Sequence, residues 1–209
     1  MVWNVNKRLE EITLEDFHGY PRASSWIPRH EDVAKIVAYA NLVTKPAMLD
    51  AGCGNGFIPK LFAKEGLEVT GIDEYMDLES LEMYAGIKNL QLRKGDAEDG
   101  KWYKHQNIVF NSWMPRGIDW SGCFKYAKPT PTMIIYVKST SSGMQPGMSG
   151  NFNNIDTYAL PFEFSEVARW PCFGNDAFLS DENFEFSGNK TCEVIIQSPK
   201  EFYEKNKNK

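Results

Sequence analysis

Chemistry is written most densely in Asp50-Ala51-Gly52-Cys53-Gly54-Asn55-Gly56-Phe57, where a carboxylate precedes three glycines at alternate positions. Glycine lets the backbone turn sharply there and lets a ligand press against peptide units where a Cβ would clash. A dinucleotide site built on G-x-G-x-x-G would need its third glycine at position 57, which is Phe57, so a nicotinamide oxidoreductase is disfavoured. A second carboxylate closes the run Glu68-Val69-Thr70-Gly71-Ile72-Asp73, 21 residues after Gly52. At a strand end it offers an acceptor pair to two ribose hydroxyls and repels a 2′-phosphate. Glu74 follows directly and shares that candidacy. His18, His30 and His105 are scattered outside any motif, so no general base is identifiable. The cysteines at 53, 123, 172 and 192 form no CxxC pair and no metal pattern, and Cys53 reads as a small buried filler of the glycine loop rather than a nucleophile.

These residues need elements to hold them. Val33, Ile36, Val37 and Tyr39 recur at helical spacing over Glu31 to Ala40, and the short apolar run Ala47-Met48-Leu49 after Pro46 reads as a buried strand. Phe57 to Lys64 reads as a helix with Pro59 in its tolerated first turn and Gly66 as its stop. Leu67 to Ile72 is the next strand, Met76 to Ala85 a helix, and Asn89 to Arg93, Asn107 to Phe110 and Met133 to Val137 further strands. Strands alternating with helices at this spacing imply right-handed βαβ units, and so an α/β fold whose mostly parallel sheet is covered on both faces.

The ordered set Asp50 to Gly56, Asp73 and Gly95-Asp96-Ala97 resembles the motifs of the class I S-adenosylmethionine-dependent methyltransferases, over roughly residues 30 to 138. The resemblance implies a Rossmann-like, doubly wound sheet of seven strands with an antiparallel closing strand, and S-adenosylmethionine as methyl donor, leaving S-adenosylhomocysteine. It places Asp50 near the cofactor ammonium and Gly52, Cys53, Gly54 and Gly56 along the methionine part. Asp73 or Glu74 would hold the ribose, Asp96 and Ala97 the adenine end, and Asn111 and Ser112 the border of the donor pocket, with Trp113 as an acceptor wall. The order Asn111-Ser112-Trp113-Met114-Pro115 departs from the Asn-Pro-Pro-aromatic motif of amino-methyltransferases, which disfavours N6-adenine chemistry. The family commonly closes its site with an N-terminal cap, so Trp26 either excludes water there, with Arg29 on the methionine carboxylate, or both residues belong to a hydrophobic staple under the first helix.

Taken as one domain of 209 residues, the chain divides into a cap at 1–30, a cofactor-binding core at 31–138, an irregular loop at 139–165 and closing strands with a tail at 166–209. The loop is rich in Gly, Ser and Asn, and is either a lid or an inert insertion. Trp170-Pro171-Cys172-Phe173-Gly174 reads as a turn, and the tail EKNKNK as frayed. With 23 basic against 28 acidic residues the net charge is −5, which disfavours duplex nucleic acid while leaving a local patch of Arg22, Arg29 and Lys35 for a small RNA target. No stretch approaches 18 unbroken apolar residues, so no membrane partner is expected, and the cysteine usage suits a reducing, cytoplasmic setting. The functional expectation is a methyltransferase acting on a small molecule. An RNA or protein acceptor, and a cofactor-binding member without transfer activity, are the alternatives.

Overall fold

The computed structural model describes residues 26–97, 99–112, 132–139, 164–174 and 192–207. Its strands are β1 (Trp26–Ile27), β2 (Ala47–Ala51), β3 (Glu68–Asp73), β4 (Leu90–Lys94), β5 (Ile108–Ser112), β6 (Met133–Ser139), β7 (Phe164–Gly174) and β8 (Cys192–Pro199). The helices are α1 (His30–Ala40), α2 (Phe57–Lys64), α3 (Leu78–Tyr84) and α4 (Lys200–Asn206), with a 3-10 turn at Gly100–Tyr103. All eight strands form one sheet in the order β1-β7-β8-β6-β5-β2-β3-β4. β2 pairs in parallel with β3 and β5, β3 with β4, and β5 with β6, while β8 runs antiparallel between β6 and β7.

From β2 the chain steps outward through α2, β3 and α3 to β4, then returns past β2 to β5. The outward crossovers lie on one face of the sheet, where Ile36 of α1 and Phe62 of α2 share a core with Met48, Phe110 and Val194. The return lies on the other face, where Ala97 and Tyr103 pack with Leu49, Val109 and Ile134. The strand order reverses between β2 and β5, with β3 and β4 following on one side and β6 on the other, and such a switch point opens a crevice at the strands' carboxyl ends.

Three readings change. The sheet has eight strands rather than seven, because part of the segment read as an irregular cap supplies β1, with Trp26 opposite Gly174 and Ile27 opposite Phe173. The stretch Trp170 to Gly174 is strand and not turn. Pro171 fits there because its carbonyl, and hence its missing N–H, faces away from β8: the carbonyl accepts from Arg29 Nη2 at 3.4 Å. The tail is helical through Asn206, and Phe202 in that helix packs against the α1–α2 core. The segments 113–131 and 140–163, which hold Trp113 and most of the irregular loop, lie outside the described residues.

Candidate functional site

The loop leaving β2 is shaped by backbone angles that side chains resist. Gly52, Gly54 and Gly56 have φ of +74°, +58° and +86°, in the left-handed region that costs other residues about 1 kcal/mol or more. The loop is stitched to β3: Gly52 N and Cys53 N both donate to Ile72 O, at 2.8 and 3.1 Å. Asp73 completes the seam, its Oδ2 accepting from Gly54 N and its Oδ1 from Tyr75 N, each at 2.8 Å. A Cβ on Gly54 would meet nothing within 4 Å, so that peptide faces open space, whereas one on Gly56 would lie 2.5 Å from Leu92 Cδ1. Cys53 is packing: a Cβ on Gly71 would fall 2.8 Å from its Sγ. Burial, then Asp50 and Asp73, push its thiol well up, so it stays protonated.

Below the loop, Asp50 is 1 % exposed, and neither carboxylate oxygen has a hydrogen-bond partner among the described residues. A buried carboxyl without donors is costly as an anion. Burial first, and Asp73 second, therefore raise it well above the ordinary carboxylate range. A cation brought to this position would reverse that balance. Across the crevice Asn111, buried at the end of β5, donates Nδ2 to Ala51 O at 2.6 Å and fixes the mouth between β2 and β5. Ser112 is half-buried beside it.

The third loop, after β4, joins the first two through Gly95 N, which donates to Asp73 O at 3.1 Å. Asp96 is exposed and Ala97 buried. Their carbonyls are held by residues of the 3-10 turn: Asp96 O accepts from Trp102 Nε1 and Ala97 O from Tyr103 Oη, both at 3.0 Å. Gly95 is required here, since a Cβ would sit 2.8 Å from the Trp102 ring. Neither brace was expected from the sequence, although an aromatic pair soon after a glycine turn was available as a signal. Glu74 is exposed in the turn after Asp73, next to Tyr75 at 87 % exposure.

Asp50, Gly52, Cys53, Gly54, Asp73, Asp96, Ala97 and Asn111 thus lie on three connected loops and one strand end, with Gly56 at the start of α2. Trp26 and Arg29 pack ahead of and at the start of α1, the second of their two readings, and do not cap the crevice. Trp26 is fully buried, with its ring 5.7 Å from that of Phe110 and 6.4 Å from that of Phe62, and so cannot close a solvent-facing site. Arg29 is committed to Asp32, donating Nε to Oδ2 at 2.9 Å and Nη2 to Oδ1 at 2.7 Å, and lies over the Phe173 ring. Asp32 also accepts from Arg29 N and from Trp170 Nε1, so the pair anchors the start of α1 to β7.

The fold recurs in solved structures. Over 81 % of this chain and 82 % of that one, the fold is similar to magnesium protoporphyrin IX methyltransferase from Synechocystis PCC 6803 with bound S-adenosylhomocysteine, at a TM-score of 0.54 and 12 % identity. The chain has the class I methyltransferase fold. A glycopeptide N-methyltransferase complexed with S-adenosylmethionine is similar over 80 % of this chain and 92 % of its own, at a TM-score of 0.54 and 12 % identity. The Pyrococcus abyssi tRNA (uracil-54, C5)-methyltransferase with S-adenosylhomocysteine is similar over 88 % of this chain and 44 % of its own, at 0.53 and 13 %. No family model and no curated protein matches the chain by sequence. Among the described residues no helix is long and apolar enough to cross a membrane, and no cluster of three His, Cys, Asp or Glu could hold a metal ion.

Proposed function

We propose that this chain is an S-adenosylmethionine-dependent methyltransferase acting on a small-molecule acceptor. The observation that carries this reading is Asp50: a buried carboxylate whose two oxygens have no partner among the described residues, under an open glycine cradle, at the switch point of a methyltransferase-like sheet. A buried acid of this kind is matched by a cationic ligand, and the donor's ammonium is one. In this reading Asp50 holds the ammonium, the Gly52–Gly56 loop cradles the methionine part, Asp73 accepts from the ribose hydroxyls, and Asp96 with Ala97 borders the adenine. Asp73 has lone pairs to spare after accepting from two backbone N–H groups. The bound sulfonium supplies an already activated methyl group, so alignment and water exclusion are the protein's main tasks.

Isothermal titration with S-adenosylhomocysteine tests the cofactor part. Binding is expected to be lost in Asp50→Ala and to weaken sharply in Asp73→Ala; a folded wild-type chain that binds neither S-adenosylhomocysteine nor S-adenosylmethionine sinks the proposal. Turnover of labelled donor with a panel of small aromatic and amine acceptors tests the rest. Binding without transfer to any class of acceptor would favour a cofactor-binding member that has lost the reaction.

A further inference from the structure

Cys172 and Cys192 lie 20 positions apart in the sequence and opposite one another in the sheet, as register partners in the antiparallel ladder of β7 and β8. Opposed residues of such a pair send their side chains to the same face, with Cα atoms about 4.5 or 5.5 Å apart. Either spacing falls within the range of about 4.4–6.8 Å that a disulfide bridges. The side chains have already met, since a hydrogen bond joins the two thiols. Both residues are 0 % exposed and belong to the core that holds Trp26, Phe62 and Val194. Any small apolar residue would fill these places, but only two cysteines can also be joined there. Cys53 differs, its Sγ donating to Gly54 O at 3.9 Å.

We propose that Cys172 and Cys192 are a reversible dithiol–disulfide pair, oxidised by a small peroxide. One thiol, as its thiolate, attacks a peroxide oxygen. The O–O bond breaks, the sulfur becomes a sulfenic acid, and the departing hydroxide takes up the thiol's proton as water. The second sulfur then attacks the sulfenic sulfur, and the S–O bond breaks as its hydroxyl leaves with the second thiol's proton as another water. Two thiols and one peroxide become one disulfide and two waters, with two electrons passing from sulfur to oxygen.

The surroundings select this oxidant. Burial first, then the bond to Cys192 and the charge of Asp32, push the Cys172 thiol well up, so the reduced pair reacts slowly. A small uncharged peroxide suits a dry core better than a bulky disulfide reagent, which would have to lodge there as a mixed disulfide. A second thiol in contact captures the sulfenic acid before it is oxidised further. The bond would close a loop with 19 residues between its ends. It would also secure the strand whose Trp170 donates to Asp32 at 3.0 Å, so that β7, β8 and the start of α1 are held together.

Treating the reduced, folded, full chain with hydrogen peroxide, and then blocking the remaining thiols with N-ethylmaleimide, tests the pair. The expected product has lost two hydrogens, and its peptide map without reductant joins Cys172 to Cys192. Its melting temperature should exceed that of the reduced chain by about 6–12 °C, and dithiothreitol should reverse both changes. In Cys172→Ala and Cys192→Ala, shown by circular dichroism to be folded, peroxide should bring no such rise. The peptide map of the wild-type chain decides the matter even if neither variant folds. A folded chain that forms no Cys172–Cys192 bond, while the unfolded chain is readily oxidised, overturns the proposal. So does oxidation to sulfinic acid without a bond, a bond from either residue to Cys53 or Cys123 instead, or an equal rise in both variants.

Discussion

At the scale of single residues the site is defined by what each position refuses. Asp50 binds a proton in the fold at pH values where the unfolded chain has already lost it, because burial and Asp73 raise its carboxyl. The unfolded state then holds fewer protons, so stability falls as pH rises from the ordinary carboxylate range through the raised value. Asp50→Asn removes this slope: thermal melting of the ligand-free protein at neutral pH should occur at higher temperature than in wild type, while binding of S-adenosylhomocysteine is lost. Wild-type affinity should strengthen with rising pH over the same range, since the ammonium needs the anion. The glycines separate in a comparable way. Gly54→Ala meets open space and costs only the left-handed strain, about 1 kcal/mol, yet should impair binding by intruding on the cradle. Gly56→Ala adds a collision with Leu92 and should cost about 2–4 kcal/mol in denaturant unfolding. Cys53 and Cys172, both buried and both with thiols pushed well up mainly by burial, should be alkylated by iodoacetamide far more slowly in the native protein than after unfolding.

Among the elements, the middle of the chain was legible and its ends were not, for a physical reason. Gly52, Gly54, Gly56 and Asp73 are dictated by local backbone geometry, so type and spacing suffice to find them. The helix at 57–64 carries its buried face within its own eight residues and was read with its boundaries intact. β1 has two residues and no period. It is strand because β7, far along the chain, offers an edge and because Trp26 fills the core between Phe62 and Phe110. Pro171 misled for a related reason: it breaks strands only where its missing N–H is needed, and here that side meets Arg29. Trp26→Ala should therefore cost about 3–5 kcal/mol of stability. Arg29→Met should cost a similar 3–5 kcal/mol, because it leaves Asp32 buried with its charge uncompensated. At a temperature where both variants remain folded, each should bind S-adenosylhomocysteine as tightly as wild type in calorimetry; a selective loss of affinity in Arg29→Met would return Arg29 to the cofactor site.

For the molecule as a whole, the order of strands does more than any single contact. The outward run to β4 and the return to β5 over the opposite face bring loops distant in sequence to one crevice, and that arrangement could be anticipated from alternating helices and strands. The partner strand of β1 could not, because it depends on which surfaces meet after folding. Asp73 clasps Gly54 and Tyr75 through their backbone N–H groups within the folded chain itself. The entropy of ordering three flexible glycines thus falls on folding and not on ligand capture. Association then has no loop-ordering step to wait for, and stopped-flow traces should rise in a single phase whose rate is proportional to ligand concentration.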